Sequence, residues 1–209
     1  PALAMHRSSL TCQNFWPNSG YFSMRDDHKE SPFGLDRKLL RRAFERAAPS
    51  YDKAAFLHRE VGNRLLERLN LIKCHPKTIV DVGCGTGIIT AAIMKKYRKA
   101  RVIGLDLAPA LVKKACQRVP WLHTLHGAVA DPEALPLPSA SCDLVFSHFA
   151  LPWCLDIDQV FAEFQRVLKP RGVLLFSTLG PDTLIELRRS WAAADGYNHV
   201  NAFLDMHDI

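Results

Sequence analysis

A chain of 209 residues is long enough for one domain with a substantial core and too short for two of ordinary size. Hydrophobic residues at 48% and charged residues at 23% are those of a globular protein, and no apolar run approaches the roughly 20 residues of a membrane span, which excludes a membrane-spanning helix. The net charge of +6 points to an acidic partner, but no basic–aromatic interleaving of an RNA-reading module accompanies it, so nucleic acid is not expected.

Residues 1–31 read as a disordered or non-native extension. The first 24 hold no acidic residue, begin at Pro1 and show no periodicity, and Met24 stands as a candidate start. Residues 32–72 read as a helical cap. In its first helix Leu39, Leu40, Ala43, Phe44 and Ala47 form an apolar stripe, and Arg37, Lys38, Arg41, Arg42 and Arg46 lie opposite. A second helix is predicted over 54–71, with Leu57, Val61, Leu65, Leu66 and Leu69 inward. From residue 73 to 209 short strands alternate with helices. The strands are predicted at Thr78–Val82, Arg101–Asp106, His123–Ala128, Cys142–Ser147 and Gly172–Ser177. The helices are predicted at Ile88–Tyr97, Ala110–Arg118, Ile157–Leu168 and Thr183–Ala194, with Lys169-Pro170-Arg171-Gly172 as a stop and Pro181 as a start. This alternation predicts an α/β fold, a parallel sheet with helices on both faces. The six cysteines form no CxxC pair and fit a reducing compartment better than a disulfide framework. His123 and His126 lack neighbours at ligand spacing, so no metal is predicted.

The chemistry concentrates at the ends of the strands. Ile79-Val80-Asp81-Val82 runs into Gly83-Cys84-Gly85-Thr86-Gly87, where glycines permit positive φ and close approach of a ligand to the backbone. A nicotinamide fingerprint needs Gly or Ala where Ile88 stands, and a P-loop needs a lysine that is absent. The pattern Asp81-x-Gly83-x-Gly85-x-Gly87, with Cys84 inside it, resembles the S-adenosylmethionine loop of class I, Rossmann-like methyltransferases. Asp106 at the end of the second strand is placed to accept both ribose hydroxyls, with Leu107 covering one adenine face. Asp131 and Pro132, after the third strand, match the adenine-edge motif of that superfamily. Ser147, His148 and Phe149 after the fourth strand, with Tyr51 from the cap, are expected to wall the methyl-transfer channel. Tyr51 and His148 are the candidate catalytic residues.

Further segments resemble the malonyl-acyl-carrier-protein O-methyltransferase of biotin synthesis. They are Ala43 to Ala48 with Tyr51, Ser147 to Cys154, and Ser177-Thr178-Leu179-Gly180 with Leu184, Glu186-Leu187 and Trp191. His148 stands where that family has Asn, and Leu151-Pro152 alters the stretch before Trp153. The resemblance implies S-adenosylmethionine as cofactor, a cytoplasmic enzyme, and methylation of the free carboxylate of malonyl-acyl-carrier protein or a malonyl thioester. It implies an arginine that grips the acceptor, without saying which, and gives the basic helix a use in meeting an acidic carrier. It also implies seven strands; five are counted, so the domain is expected to stop before its last hairpin. Two alternatives stand beside it. One is an assembly factor of respiratory complex I, a protein arginine hydroxylase of the mitochondrial matrix with methyltransferase fold, which Arg59-Glu60-Val61-Gly62 and Asp182-Thr183-Leu184 fit as well. The other is a quinone-type small-molecule methyltransferase.

Overall fold

The computed structural model describes residues 36–119, 125–195, 199–201, 203–205, 207 and 209. The predicted extension at 1–31, and His123 with the start of the third predicted strand, lie outside the described residues. Five parallel strands form one sheet: β1 (Thr78–Val82), β2 (Arg101–Asp106), β3 (Leu125–Val129), β4 (Cys142–His148) and β5 (Leu168–Ser177). Their order is β3-β2-β1-β4-β5, so the chain reverses direction across the sheet between β1 and β4. Ligands of open α/β sheets bind at such a switch point, beyond the carboxyl ends of the strands.

Side chains alternate between the two faces of each strand, and the core divides accordingly. Ile79, Val102, Leu144 and Phe146 meet Ile89, Ile93 and Met94 of α4 (Ile88–Lys96), Ala115 of α5 (Pro109–Arg118) and Leu69. Val80, Val82, Leu105 and Val145 meet Val160, Phe164 and Val167 of α6 (Ile157–Val167). Helices therefore cover both faces, as the alternation predicted. Asp143 fastens the central pair at its lower end, where Oδ2 accepts the N–H groups of Lys77 (2.9 Å) and Thr78 (2.8 Å).

The cap departs from the predicted pattern. Its first helix, α1 (Arg37–Ala47), starts on Asp36, whose Oδ1 accepts from the N–H groups of Lys38 and Leu39. Of its predicted stripe, Leu40 is buried and Phe44 half-buried, whereas Leu39 is 61% exposed. The second predicted helix is two: α2 (Tyr51–Ala54) and α3 (Phe56–Arg68), broken at Ala55, where ψ is 32°. Past the break the predicted stripe holds for Leu65, Leu66 and Leu69, which pack on the core, whereas Leu57 faces solvent and Gly62 is buried. A Cβ at Gly62 would lie 2.6 Å from Ile89 Cδ1, which shows how closely α3 rides on α4.

Two boundaries also differ. Leu168 to Gly172 does not end α6 with a loop. β5 begins at Leu168 and carries three extra residues between the pairs Cys142↔Leu168 and Leu144↔Val173, a bulge in which Arg171 has φ 68°. Pro181 lies outside α7 (Ile185–Ala194): turns closed by Thr183 N–H to Gly180 O and Ile185 N–H to Asp182 O carry the chain there, and Leu184 has φ 57°.

Candidate functional site

A cleft of about 930 Å³, its open mouth included, lies over the carboxyl ends of β1, β2 and β4 and under the cap. Its floor is the glycine loop, stitched to β2 by Gly83 N–H and Cys84 N–H, both donating to the Leu105 carbonyl at 2.8 and 2.9 Å. Gly85 has φ +55°, and a Cβ built there meets nothing within 4 Å, so its bare face opens toward space a ligand can fill. Gly87, at φ +79°, caps α4 and packs against Ala115; it does not line the cleft.

The acids fall into two kinds. Asp106 lines the cleft, and its carboxylate is oriented by Gly85 N–H (2.9 Å to Oδ2) and Ala108 N–H (3.0 Å to Oδ1). Burial raises its pKa against those bonds. Asp81 accepts the Thr90 hydroxyl at 2.5 Å; burial pushes its carboxyl up to about 7, with the Asp106 charge adding to it. Asp131, by contrast, is held by Arg37, whose Nη1 stands 2.9 Å from Oδ2 while Nη2 reaches Glu133. Asp131 is not among the cleft-lining residues, although Pro132 is. Leu107 also lines it, as do Gly83 and Cys84.

The far wall is aromatic. His148 and Phe149 stack at 4.3 Å, His58 meets Phe149 edge-on at 5.3 Å, and Tyr51 meets His58 at 5.8 Å. Burial, with the Asp106 and Asp52 charges, raises the Tyr51 pKa and keeps its phenol neutral. Both nitrogens of His148 are engaged: Nε2 donates to the His58 carbonyl at 2.8 Å, so Nδ1 accepts the Ser177 hydroxyl at 2.6 Å. Burial drives its pKa down to about 4. Ser147 is fully buried behind this wall, does not line the cleft, and has no hydrogen-bond partner for its hydroxyl among the described residues.

The buried imidazole has a measurable consequence. The unfolded chain protonates near the ordinary histidine value of about 6.5, whereas folded His148 waits until about 4. Its contribution to stability is therefore complete above pH 6.5 and is lost as pH falls toward 4. Asp81 acts in the opposite sense between its ordinary value and about 7, because the folded state holds that proton more tightly. His148→Gln is expected to move the acid-unfolding midpoint, followed by circular dichroism, to lower pH; an unmoved midpoint would contradict the assignment.

The sequence patterns did not show how the cap is clasped to the cofactor loop. Asp52 Oδ1 accepts the Thr86 hydroxyl at 2.6 Å, Arg118 pairs with the same carboxylate, and Arg118 Nε donates to the Thr86 carbonyl at 2.8 Å. Arg59 Nη1 donates to the Asp52 carbonyl at 2.8 Å, and the residue lines the cleft. Thr86 lies within the loop and Asp52 beside Tyr51, so adjacency to predicted site residues was the available signal. Arg59 stood out only within the segment Arg59-Glu60-Val61-Gly62 and His58 not at all, since the helix break at Ala55 sets their direction.

A glycine loop at the end of β1, an oriented acid at the end of β2 and an aromatic wall at the end of β4 define a methyltransferase domain of class I, with S-adenosylmethionine as cofactor. Residues 80–176 match the methyltransferase domain family. By sequence the chain is similar to malonyl-[acyl-carrier protein] O-methyltransferases: it is 50% identical over 181 residues to that of Methylovorus sp. (strain MP688) and 45% identical over 175 residues to that of Halorhodospira halophila, covering 84% of this chain in both cases. It spans 61% and 59% of those relatives' own lengths. Solved structures bear out the fold. A chain of the complex of the Haloferax volcanii Trm112 methyltransferase activator with a methyltransferase superposes with a TM-score of 0.65 at 23% identity, over 79% of this chain and 71% of that one. A methyltransferase from Aquifex aeolicus gives 0.55 at 21%, over 70% and 74%.

The site fits the cofactor on its own chemistry. The Gly85 face opens on the cleft, Asp106 presents an oriented carboxylate suited to a pair of hydroxyls, and Leu107 with Pro132 supplies apolar surface. We propose Asp81, Gly83, Cys84, Gly85, Asp106, Leu107 and Pro132 as the residues that hold it, with Gly87, Asp131 and Ser147 shaping the site from behind.

Proposed function

We propose that the protein methylates the free carboxylate of malonyl-acyl-carrier protein in the cytoplasm. The observation that carries this reading is the state of the bases beside the cleft. His148 has both nitrogens occupied and a pKa near 4, and burial lowers His58 as well. Acceptors such as phenols or amides must lose a proton during transfer, and His148, with both ring nitrogens occupied, does not offer to take it. A malonyl carboxylate is already ionised at neutral pH and carries its own nucleophile. The bound cofactor supplies an electrophilic methyl group. The chain's task is then alignment and exclusion of water, a contribution that reaches roughly 7–11 kcal/mol in well-oriented reactions. Tyr51, His148 and Phe149 perform it as a neutral wall beside the transferring group. The names of the relatives support the same acceptor over a complex I assembly factor or a quinone-type enzyme.

The outer face of α1 suits the carrier. Arg37 is committed to Asp131 and Glu133, but Lys38, Arg42 and Arg46 are exposed and give an acidic protein a docking surface.

Purified protein with labelled S-adenosylmethionine and malonyl carrier protein is expected to yield a methyl ester. At saturating cofactor, kcat/KM should show no rising limb that depends on His58. Absence of ester, or a rising limb that disappears in His58→Gln, would remove the base-free carboxylate reading.

A further inference from the structure

We infer that Arg59 is the carboxylate receptor of the cleft. Among the described residues it is the only lysine or arginine that lines the cleft. Arg118 and Arg37, the neighbouring guanidinium groups of the cap interface, are committed to Asp52 and to the Asp131–Glu133 pair. Arg59 gives one N–H to the Asp52 backbone carbonyl and makes no ion pair with a described residue. The Asp52 carboxylate does not neutralise it, because that group is turned to Thr86 and Arg118. That bond leaves the other four guanidinium N–H donors without a partner among the described residues, beside a cleft whose two acids are bonded elsewhere, Asp81 to Thr90 and Asp106 to Gly85 and Ala108. A planar fork in that setting matches a carboxylate.

Two molecules bring one: the cofactor, through its amino-acid end, and an acid acceptor, the latter resting on the function proposed above. The physics separates them. An acceptor carboxylate loses its charge as it is methylated, so a cation gripping it favours the ground state over the transition state. The cofactor's carboxylate keeps its charge throughout, and a cation there costs the reaction nothing. The larger effect is accordingly expected on the cofactor.

Calorimetry on the whole protein tests this, with S-adenosylhomocysteine, which has the carboxylate, and methylthioadenosine, which lacks it. Arg59→Gln is expected to weaken S-adenosylhomocysteine by about 10- to 100-fold, the range of a charged hydrogen-bonded contact, and methylthioadenosine by less than about 3-fold; Arg59→Lys should recover part of the loss. If S-adenosylhomocysteine binding is unchanged while KM for malonyl carrier protein rises at least tenfold, the receptor serves the acceptor. Equal losses for both nucleosides, or no change in any of these constants, overturn the inference. A wild-type protein that binds S-adenosylhomocysteine but makes no malonyl ester would sink the acceptor proposal and leave the nucleoside comparison intact.

Discussion

Asp106→Ala is expected to reduce affinity for S-adenosylhomocysteine by at least 100-fold while the domain stays folded. The side chain stands at the end of β2 with one lone pair on Gly85 N–H and another on Ala108 N–H, which leaves the rest of the carboxylate to the cleft. A hydrogen bond to a charged group contributes about 1.5–3 kcal/mol, so loss of two to a ribose removes roughly 3–6 kcal/mol. The substitution also loosens the glycine loop, because Gly85 N–H loses its acceptor. Stability should respond in a different way. Burial raises the pKa of Asp106, and its charge raises those of Asp81 and Tyr51. Removing it relieves that repulsion while giving up two hydrogen bonds, so thermal denaturation is expected to shift little. Calorimetric affinity within threefold of wild type would show that the site is misassigned.

The second large effect is on stability. Arg37 bridges Asp131 and Glu133, and Glu133 is itself a junction: its Oε1 accepts the N–H groups of Leu155 (2.6 Å) and Asp156 (3.1 Å) ahead of α6. One guanidinium thus joins the first helix of the cap, the loop after β3 and the start of α6. Arg37→Ala leaves two partly buried acids side by side without their cation. Breaking a fully buried pair costs 3–5 kcal/mol; with the arginine side chain 28% exposed, about 2–3 kcal/mol is expected here. For a chain of this size that corresponds to a fall in melting temperature of roughly 5–10 °C. Adding Glu133→Gln should restore part of the loss, because the remaining repulsion between the acids disappears. A change below about 0.5 kcal/mol, or strict additivity in the double-mutant cycle, would contradict the bridge.

The sheet was legible because its strands obey a short-range rule. Each is a brief apolar run bounded by turn residues, and β1 and β2 begin and end at the predicted residues. The glycine-loop floor of the cleft was legible for a related reason: glycine and aspartate at strand ends leave a mark in the sequence. The cap was harder. A helix break at Ala55 carries no glycine or proline, so the phase that buries Gly62 and exposes Leu57 is decided by tertiary contacts such as Asp52 with Thr86. The same holds for Asp131. Its position after β3 was predictable, but its capture by Arg37 links residues 94 positions apart, and no local pattern records that. His148 was picked out by its place after β4, yet its neutral state follows from burial, and its tautomer from Ser177 and the His58 carbonyl, both far from it in sequence.

The Asp143 fastening has a consequence for how the chain reaches this fold. It joins residues 65 and 66 positions apart, at the seam where β4 inserts beside β1. The first three strands can associate through successive crossovers, but one edge of β1, with Ile79 and Val80, stays uncovered until β4 arrives. Contacts of such long separation incur their loop entropy before they return any stability. The rate-limiting step of folding is therefore expected to be closure of that seam, and the species that waits for it presents an apolar strand edge to other molecules. During synthesis, a chaperone would find its target at the middle of the future sheet.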